Sequence, residues 1–151
     1  MFKLSRFPSP EQSIGFRYAH IFRKLSTLFS IQLKTYDITP EQWSVLYQVY
    51  LEEGINQKKI ARRTEKDQPT VTRILDVLDK KQLITRSTDS TDRRAFLIHP
   101  TESAKKLILA TIPIEVELND KIISGVTDEQ LQLLQQIMQQ IQHNIEQIHQ
   151  D

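Results

Sequence analysis

No cysteine occurs in this chain, which excludes a disulfide framework, a thiolate metal site and a thiol redox switch. Glycine is scarce as well, at three residues, and none forms part of a phosphate-cradling loop or a nucleophile motif. No apolar run approaches the roughly 18–20 residues of a membrane span. Pro8 and Pro10 interrupt the short apolar N-terminus before a secretory h-region can form. A cytoplasmic protein with no membrane association is therefore expected. The four histidines, His20, His99, His143 and His149, show no metal-ligand spacing, and the last two lie on different faces of a helix. The carboxylates are scattered. Neither a catalytic role nor a metal or other cofactor is expected.

What is present is helix-forming. Leu, Ile, Gln, Glu and Lys abound, and 151 residues suffice for one domain with a modest core. The net charge of +1 conceals a strong polarity along the chain. Residues 55–100 carry eleven basic and six acidic side chains, residues 1–54 six and five, and residues 101–151 three and eight. The middle is thus +5 and the tail −5, as expected of a molecule with one polyanion-binding face. Such a basic run alone also describes a solvated helix surface.

Three stretches carry the pattern of a capping box: Ser9-Pro10-Glu11-Gln12, Thr39-Pro40-Glu41-Gln42 and Thr127-Asp128-Glu129-Gln130. In each, a hydroxyl takes the amide three residues on and that residue's glutamine side chain returns the bond. The first helix is expected from Pro10 to about Lys34, with a stripe of Ile14, Tyr18, Ile21, Leu25 and Leu28. A second runs from Pro40 to about Glu53, turning Trp43, Leu46, Tyr47 and Tyr50 inward and stopping at Gly54.

Residues 55–100 hold the decisive arrangement. A short helix, about Gln57–Arg63, precedes a second that starts at Asp67 or Gln68 and ends near Lys81. Asp67 is a suitable N-cap, and Pro69 falls in the first turn, where a missing amide costs nothing. At 100° per residue Val71, Ile74, Leu75 and Leu78 share one side of this helix; Pro69, Arg73 and Lys80 lie opposite, with Thr70 and Thr72 on the flanks. Two β-like runs follow, Leu83–Ser87 and Arg94–His99, around a polar turn. Leu83, Ile84, Phe96 and Ile98 are expected to dock this hairpin on the helices. Helix, turn, helix and hairpin in this order form a winged helix-turn-helix, which presents one helix to the DNA major groove.

The fifth helix is expected from Thr101 to about Ser124, kinked at Pro113, and the sixth from Asp128 almost to the C-terminus. Leu131, Leu134, Met138, Ile141, Ile145 and Ile148 alternate steps of three and four along the sixth helix, a coiled-coil-type seam that Leu133 and Ile137 widen. Packing on the chain's own core is one reading of that seam. A helical homodimer is the other, favoured because one copy has too little partner surface for three apolar stripes.

The chain resembles the multiple antibiotic resistance regulator (MarR) family of winged-helix transcription factors. The likeness rests on Gln57-Lys58-Lys59-Ile60-Ala61, Thr70-Val71-Thr72-Arg73-Ile74-Leu75-Asp76, Leu78-Asp79-Lys80-Lys81, Leu83-Ile84 and Asp89-Ser90-Thr91-Asp92-Arg93-Arg94, all in order. It implies a mainly α fold with a small β-hairpin wing in a single domain spanning residues 1–151. Residues 1–36 and 101–151 would form dimerisation helices, and residues 39–100 the DNA-binding lobe. It further implies that Thr70, Thr72 and Arg73 sit at the major groove or its phosphate walls, and that Arg94, oriented by Asp92, reaches the minor groove. The full candidate DNA-binding set is Gln68, Pro69, Thr70, Thr72, Arg73, Lys80, Arg86, Asp92, Arg93 and Arg94.

Family members often bind aromatic anions, and Arg17, His20, Trp43 and Tyr47 are the candidates to line such a ligand site; core packing is the alternative for them. Three positions depart from the family pattern. Gln82 stands where glycine is frequent, and a left-handed backbone there would cost roughly 1 kcal/mol. Ala104 replaces another glycine, and Glu65-Lys66 form a glycine-free turn before the fourth helix.

The expected function is sequence-specific binding of a homodimer to a palindromic double-stranded DNA operator, regulating transcription, as a repressor that a small aromatic effector could relieve. A helical protein-interaction module and a nonspecific architectural DNA binder are the competing classes.

Overall fold

The computed structural model describes residues 9–88, 90 and 95–148. The chain forms two compact units, residues 1–115 and 116–151.

In the first unit, helix α1 spans Ile14–Leu33, α2 Pro40–Leu51, α3 Gln57–Thr64 and α4 Gln68–Lys80. Strand β1 is Ile55–Asn56, β2 Ile84–Thr88 and β3 Phe96–Pro100. They form an antiparallel sheet in the order β1-β3-β2. Helix α5, Glu102–Ile122, begins in this unit and continues into the second. The expected mainly α fold with a β-hairpin wing is what the chain adopts, with one addition. β1, which pairs Ile55 with Ile98, was not expected from a two-residue segment.

Local chemistry accounts for the helix starts. At α2 the capping box forms in full, with Gln42 N donating to Thr39 Oγ1 at 3.2 Å and Thr39 N to Gln42 Oε1 at 3.3 Å. At α1 the expected box does not form. Pro10–Gln12 make a separate 3₁₀ turn without a side-chain cap from Ser9, and Ser13 caps α1 instead, accepting from Phe16 N at 3.4 Å. Two hydroxyl residues four positions apart compete for that role, and Ser13 adjoins the helix proper.

The buried core joins Leu33 of α1 to Val45, Leu46 and Val49 of α2, Ile60 of α3, and Val71, Ile74, Leu75 and Leu78 of α4. Leu83, Ile84 and Ile98 close it from the wing, and Ala104 and Ile108 from α5. The expected α4 stripe is buried in full. On α2 the deepest positions are Val45, Leu46 and Val49, while Trp43, Tyr47 and Tyr50 pack at the margin. Phe96, expected to dock, is 55% exposed. It pairs with Thr88 at the far end of the hairpin, beyond the reach of the core that covers Ile98. Gly54 lies beyond the end of α2 at φ +80°, where its amide donates to Ile98 O at 2.9 Å.

Gln82 adopts φ +57°, the left-handed conformation that its place after α4 suggests. The surroundings hold it there. Leu83 N bonds Leu78 O at 2.9 Å, and Thr101 Oγ1 donates to Gln82 O at 2.9 Å while accepting from Ala104 N. Glu65, also left-handed at φ +51°, closes the turn between α3 and α4.

Most of the α1 stripe stays outside this core: Ile21 is 53% exposed and Phe22 70%. In the second unit, α6 (Asp128–Ile148) starts with a complete capping box at Thr127 and Gln130 and has no buried residue. Along its seam Leu134 is 45% and Ile145 50% exposed. α5 runs through Pro113 as one helix. No described helix is long and apolar enough to cross a membrane.

Candidate nucleic-acid interface

The turn between α3 and α4 is built by side chains that cap and cross-link. Asp67 caps α4, accepting from Thr70 N at 2.7 Å and Thr70 Oγ1 at 2.9 Å. The Thr70 amide, then the Thr70 hydroxyl, holds the Asp67 carboxyl below the usual carboxylate range, with a smaller contribution from the Arg73 charge. Gln57, the first residue of α3, donates from Nε2 to Gln68 O at 3.2 Å and to Thr72 Oγ1 at 2.6 Å. The first turn of α4 is thereby fastened to α3.

On α4, Gln68, Pro69, Thr72, Arg73 and Lys80 are exposed and Thr70 is half-buried. The face opposite Val71, Ile74, Leu75 and Leu78 is thus small and polar at its start and carries Arg73 and Lys80 further along, with Asp76 between them. Arg73 Nη2 donates to Thr70 Oγ1 at 3.3 Å, which holds the guanidinium near the helix tip.

Ion pairing divides the basic residues of this lobe. Lys59 and Arg63 each lie 2.7 Å from Glu52, and the Lys59 hydrogen bond is the main reason that the Glu52 carboxyl stays below its ordinary range, with Arg63 adding to it. Lys66 approaches Glu41 at 4.0 Å, and Lys81 lies 3.1 Å from Asp37. Arg86 bonds Asp76 at 2.6 Å and reaches Asp79 at 3.8 Å. Among the described residues, Lys58, Arg62, Arg73 and Lys80 form no salt bridge, Arg73 acting on Asp67 only at longer range, so their charge is available to an outside anion. Asp92, Arg93 and Arg94 lie outside the described residues.

Arg86 is therefore placed differently from the rest of the candidate set, since its guanidinium ties β2 to α4. Gln57, Asp76 and Asp79 were not among the site residues expected from the sequence. An acid pair at i and i+3 on α4 was the available signal for Arg86, but only the fold shows that β2 runs beside it.

The four ligand-site candidates are not gathered in one place. Trp43 stacks on Tyr47 with ring centroids 4.9 Å apart, Phe29 meets it edge-on at 5.2 Å, and its Nε1 donates to Thr111 Oγ1 at 2.8 Å. Arg17 and His20 are exposed on α1. His20 lies nine residues from Phe29, about 13 Å along the helix, and lines an open groove with Arg23, Lys24, Thr27 and Leu28, all of α1. Trp43 and Tyr47 thus pack as part of the core margin, which is the alternative that the sequence left open. No group of three His, Asp or Glu suited to a metal ion occurs among the described residues.

Comparison with known proteins places this arrangement. Residues 38–96, the stretch from the start of α2 into the wing, match the MarR family. The chain is similar to S. aureus MepR in a crystal structure of its complex with DNA, at 26% identity and TM-score 0.83, covering 87% of this chain and 98% of that one. A MarR transcriptional regulator from Methanosarcina mazei Go1 is 25% identical with TM-score 0.79, over 89% of this chain and 97% of its own. A Listeria innocua Clip11262 protein of unknown function is 37% identical, over 87% and 91%, with TM-score 0.66. Winged-helix order, the bonded turn before α4 and likeness over nearly the whole chain agree: the chain belongs to the MarR family of transcriptional regulators.

Proposed function

We propose that the protein binds a palindromic DNA operator as a homodimer and represses transcription by occupying a site that overlaps a promoter. The carrying observation is the division of charge. Lys59, Arg63, Lys66, Lys81 and Arg86 are ion-paired, whereas Arg73 and Lys80, on the exposed face of α4, form no salt bridge among the described residues. Phosphate contacts of this kind supply affinity, and base contacts from the start of the helix supply sequence choice. The MepR–DNA complex, of a protein 26% identical, supports DNA as the partner.

The homodimer is supported by apolar surface that one protomer leaves open on α1 and α6, including Phe22 at 70% and Ile148 at 73% exposure. Residues 1–36 and 101–151 are the proposed dimerisation regions, with α5 also contributing Ala104 and Ile108 to the core of the lobe. Two lobes on a two-fold axis would read two half-sites. Relief of repression by a small aromatic effector is part of the proposal, with Arg17, His20, Trp43 and Tyr47 as its candidate residues.

Arg73→Ala and Arg94→Ala test the reading. Each should weaken DNA binding while leaving the oligomeric mass unchanged. Unaltered affinity in both would overturn it and favour a protein-interaction role for the winged helix.

A further inference from the structure

The hydrogen bonds at the tip of α4 determine what its threonines can offer a base pair. A threonine hydroxyl has one proton to give and two lone pairs to receive. Thr72 Oγ1 gives its proton to Gln68 O at 2.9 Å and receives Gln57 Nε2 at 2.6 Å. Thr70 Oγ1 gives its proton to Asp67 Oδ2 at 2.9 Å and receives Arg73 Nη2 at 3.3 Å. Neither hydroxyl retains a proton for an acceptor on DNA.

Thr72 is the exposed member of the pair. With Oγ1 turned back to the carbonyl four residues earlier and pinned by Gln57, its χ1 is fixed, and besides one acceptor lone pair on Oγ1 the γ-methyl is what is left to the surroundings. The exposed Pro69 ring adds to the apolar character of this turn. In the major groove, base edges display donors, acceptors and a single apolar feature, the 5-methyl group of thymine.

We propose that Thr72 is a thymine-reading residue, its γ-methyl packing on the 5-methyl group of one thymine in each half-site, and that Gln57 is the positioning residue holding it there. The proposal rests on the DNA-binding reading above and adds which chemical feature of the operator this position recognises.

The test uses the full-length protein and a duplex recovered by selection from random DNA, in which each thymine is replaced singly by deoxyuridine. This exchange removes one methyl group and leaves base pairing intact. One thymine per half-site should be sensitive, its replacement weakening wild-type binding about fourfold, the effect of one buried methyl. Thr72→Ser, which keeps the hydroxyl and its bonds, should lose that sensitivity. Thr72→Val, which keeps the methyl, should retain it. Gln57→Ala should bring the thymine-to-deoxyuridine affinity ratio toward one, a readout that a loss of general stability would not move. A wild type indifferent to deoxyuridine at every position, or a Thr72→Ser protein as sensitive as wild type, overturns the proposal while leaving operator binding intact. A selection that returns no sequence overturns both.

Discussion

Arg86 Nη2 stands 2.6 Å from Asp76 Oδ1 and Arg86 Nη1 3.8 Å from Asp79 Oδ2, so one guanidinium bridges two carboxylates about one turn apart on α4 from the neighbouring strand β2. The pair is partly exposed, with side-chain accessibilities of 30% for Arg86 and 50% for Asp76. Its contribution to folding is accordingly small, up to about 1 kcal/mol. Its larger effect is to fix where the wing stands relative to α4. Arg86→Ala should lower DNA affinity with little change in the slope of log K against log salt, whereas Arg73→Ala should reduce that slope by about one for each phosphate that Arg73 neutralises. Titration at several salt concentrations separates the two, and an equal fall in slope for both variants would show that Arg86 binds phosphate.

The left-handed residues after α2 and α4 offer stability predictions of opposite sign. Gln82 holds φ +57°, so Gln82→Gly should relieve strain and raise stability by about 0.5–1 kcal/mol, net of the added freedom of the unfolded chain. Gly54 holds φ +80°, and a Cβ there would lie 3.3 Å from His99 Cε1. Gly54→Ala should cost about 1–2 kcal/mol for the left-handed backbone. Urea midpoints measure both, and a shift in the same direction for the two would contradict the assignment.

Much of the lobe was legible because its elements are specified locally. The α4 stripe Val71, Ile74, Leu75 and Leu78 is a helical period, and Thr39 with Gln42 is a four-residue signal; both are as expected. What was not legible depends on partners distant in sequence. β1 is too short at Ile55–Asn56 to show alternation, and it exists because β3 supplies its bonds. The burial of Val45 and Val49 ahead of the α2 aromatics depends on which side α4 approaches. Periodicity on α1 revealed an apolar stripe but not what covers it. In the candidate site, the exposed residues of α4 were readable from helical phase, whereas the ties of Gln57 to Thr72 and Arg86 to Asp76 needed the fold.

Trp43, the sole tryptophan, reports on its own hydrogen bond. Thr111 is fully buried, and its hydroxyl accepts from Trp43 Nε1 at 2.8 Å while donating to Leu107 O at 2.8 Å. Thr111→Val keeps the shape and removes the acceptor, leaving the indole N–H without its partner. The expected loss is about 1–3 kcal/mol, read from the urea midpoint by Trp43 fluorescence. An unchanged midpoint would remove this bond from the account.

Asp67 makes the stability of α4 depend on acidity. Its carboxyl is held below the ordinary range chiefly by the Thr70 amide, then by the Thr70 hydroxyl. A group with a depressed folded-state pKa contributes stability above its unfolded pKa and loses it as pH falls through the folded value. Asp67→Asn preserves an N-cap without a titrating group. It should be less stable than wild type at pH 7, since the amide accepts at one oxygen where the carboxylate accepts at two, and lose less stability between about pH 4 and the lower folded-state value. Parallel acid limbs in the two proteins would show that Asp67 is not the group concerned.

The apolar seam of α6 tests the assembly. Leu134 and Met138 are 45% and 47% exposed in the protomer, so Leu134→Glu with Met138→Glu should leave a single chain folded. Light scattering should give twice the 17.7 kDa chain mass for wild type and one chain mass for the variant. A wild type of one chain mass would contradict the homodimer.

Selection of bound duplexes from a random pool tests the central claim most directly, because sequence choice, two-fold symmetry and spacing appear in one result. The account predicts a palindrome whose half-sites lie about one helical turn, roughly 10–10.5 base pairs, apart. A pool enriched for no sequence would contradict it.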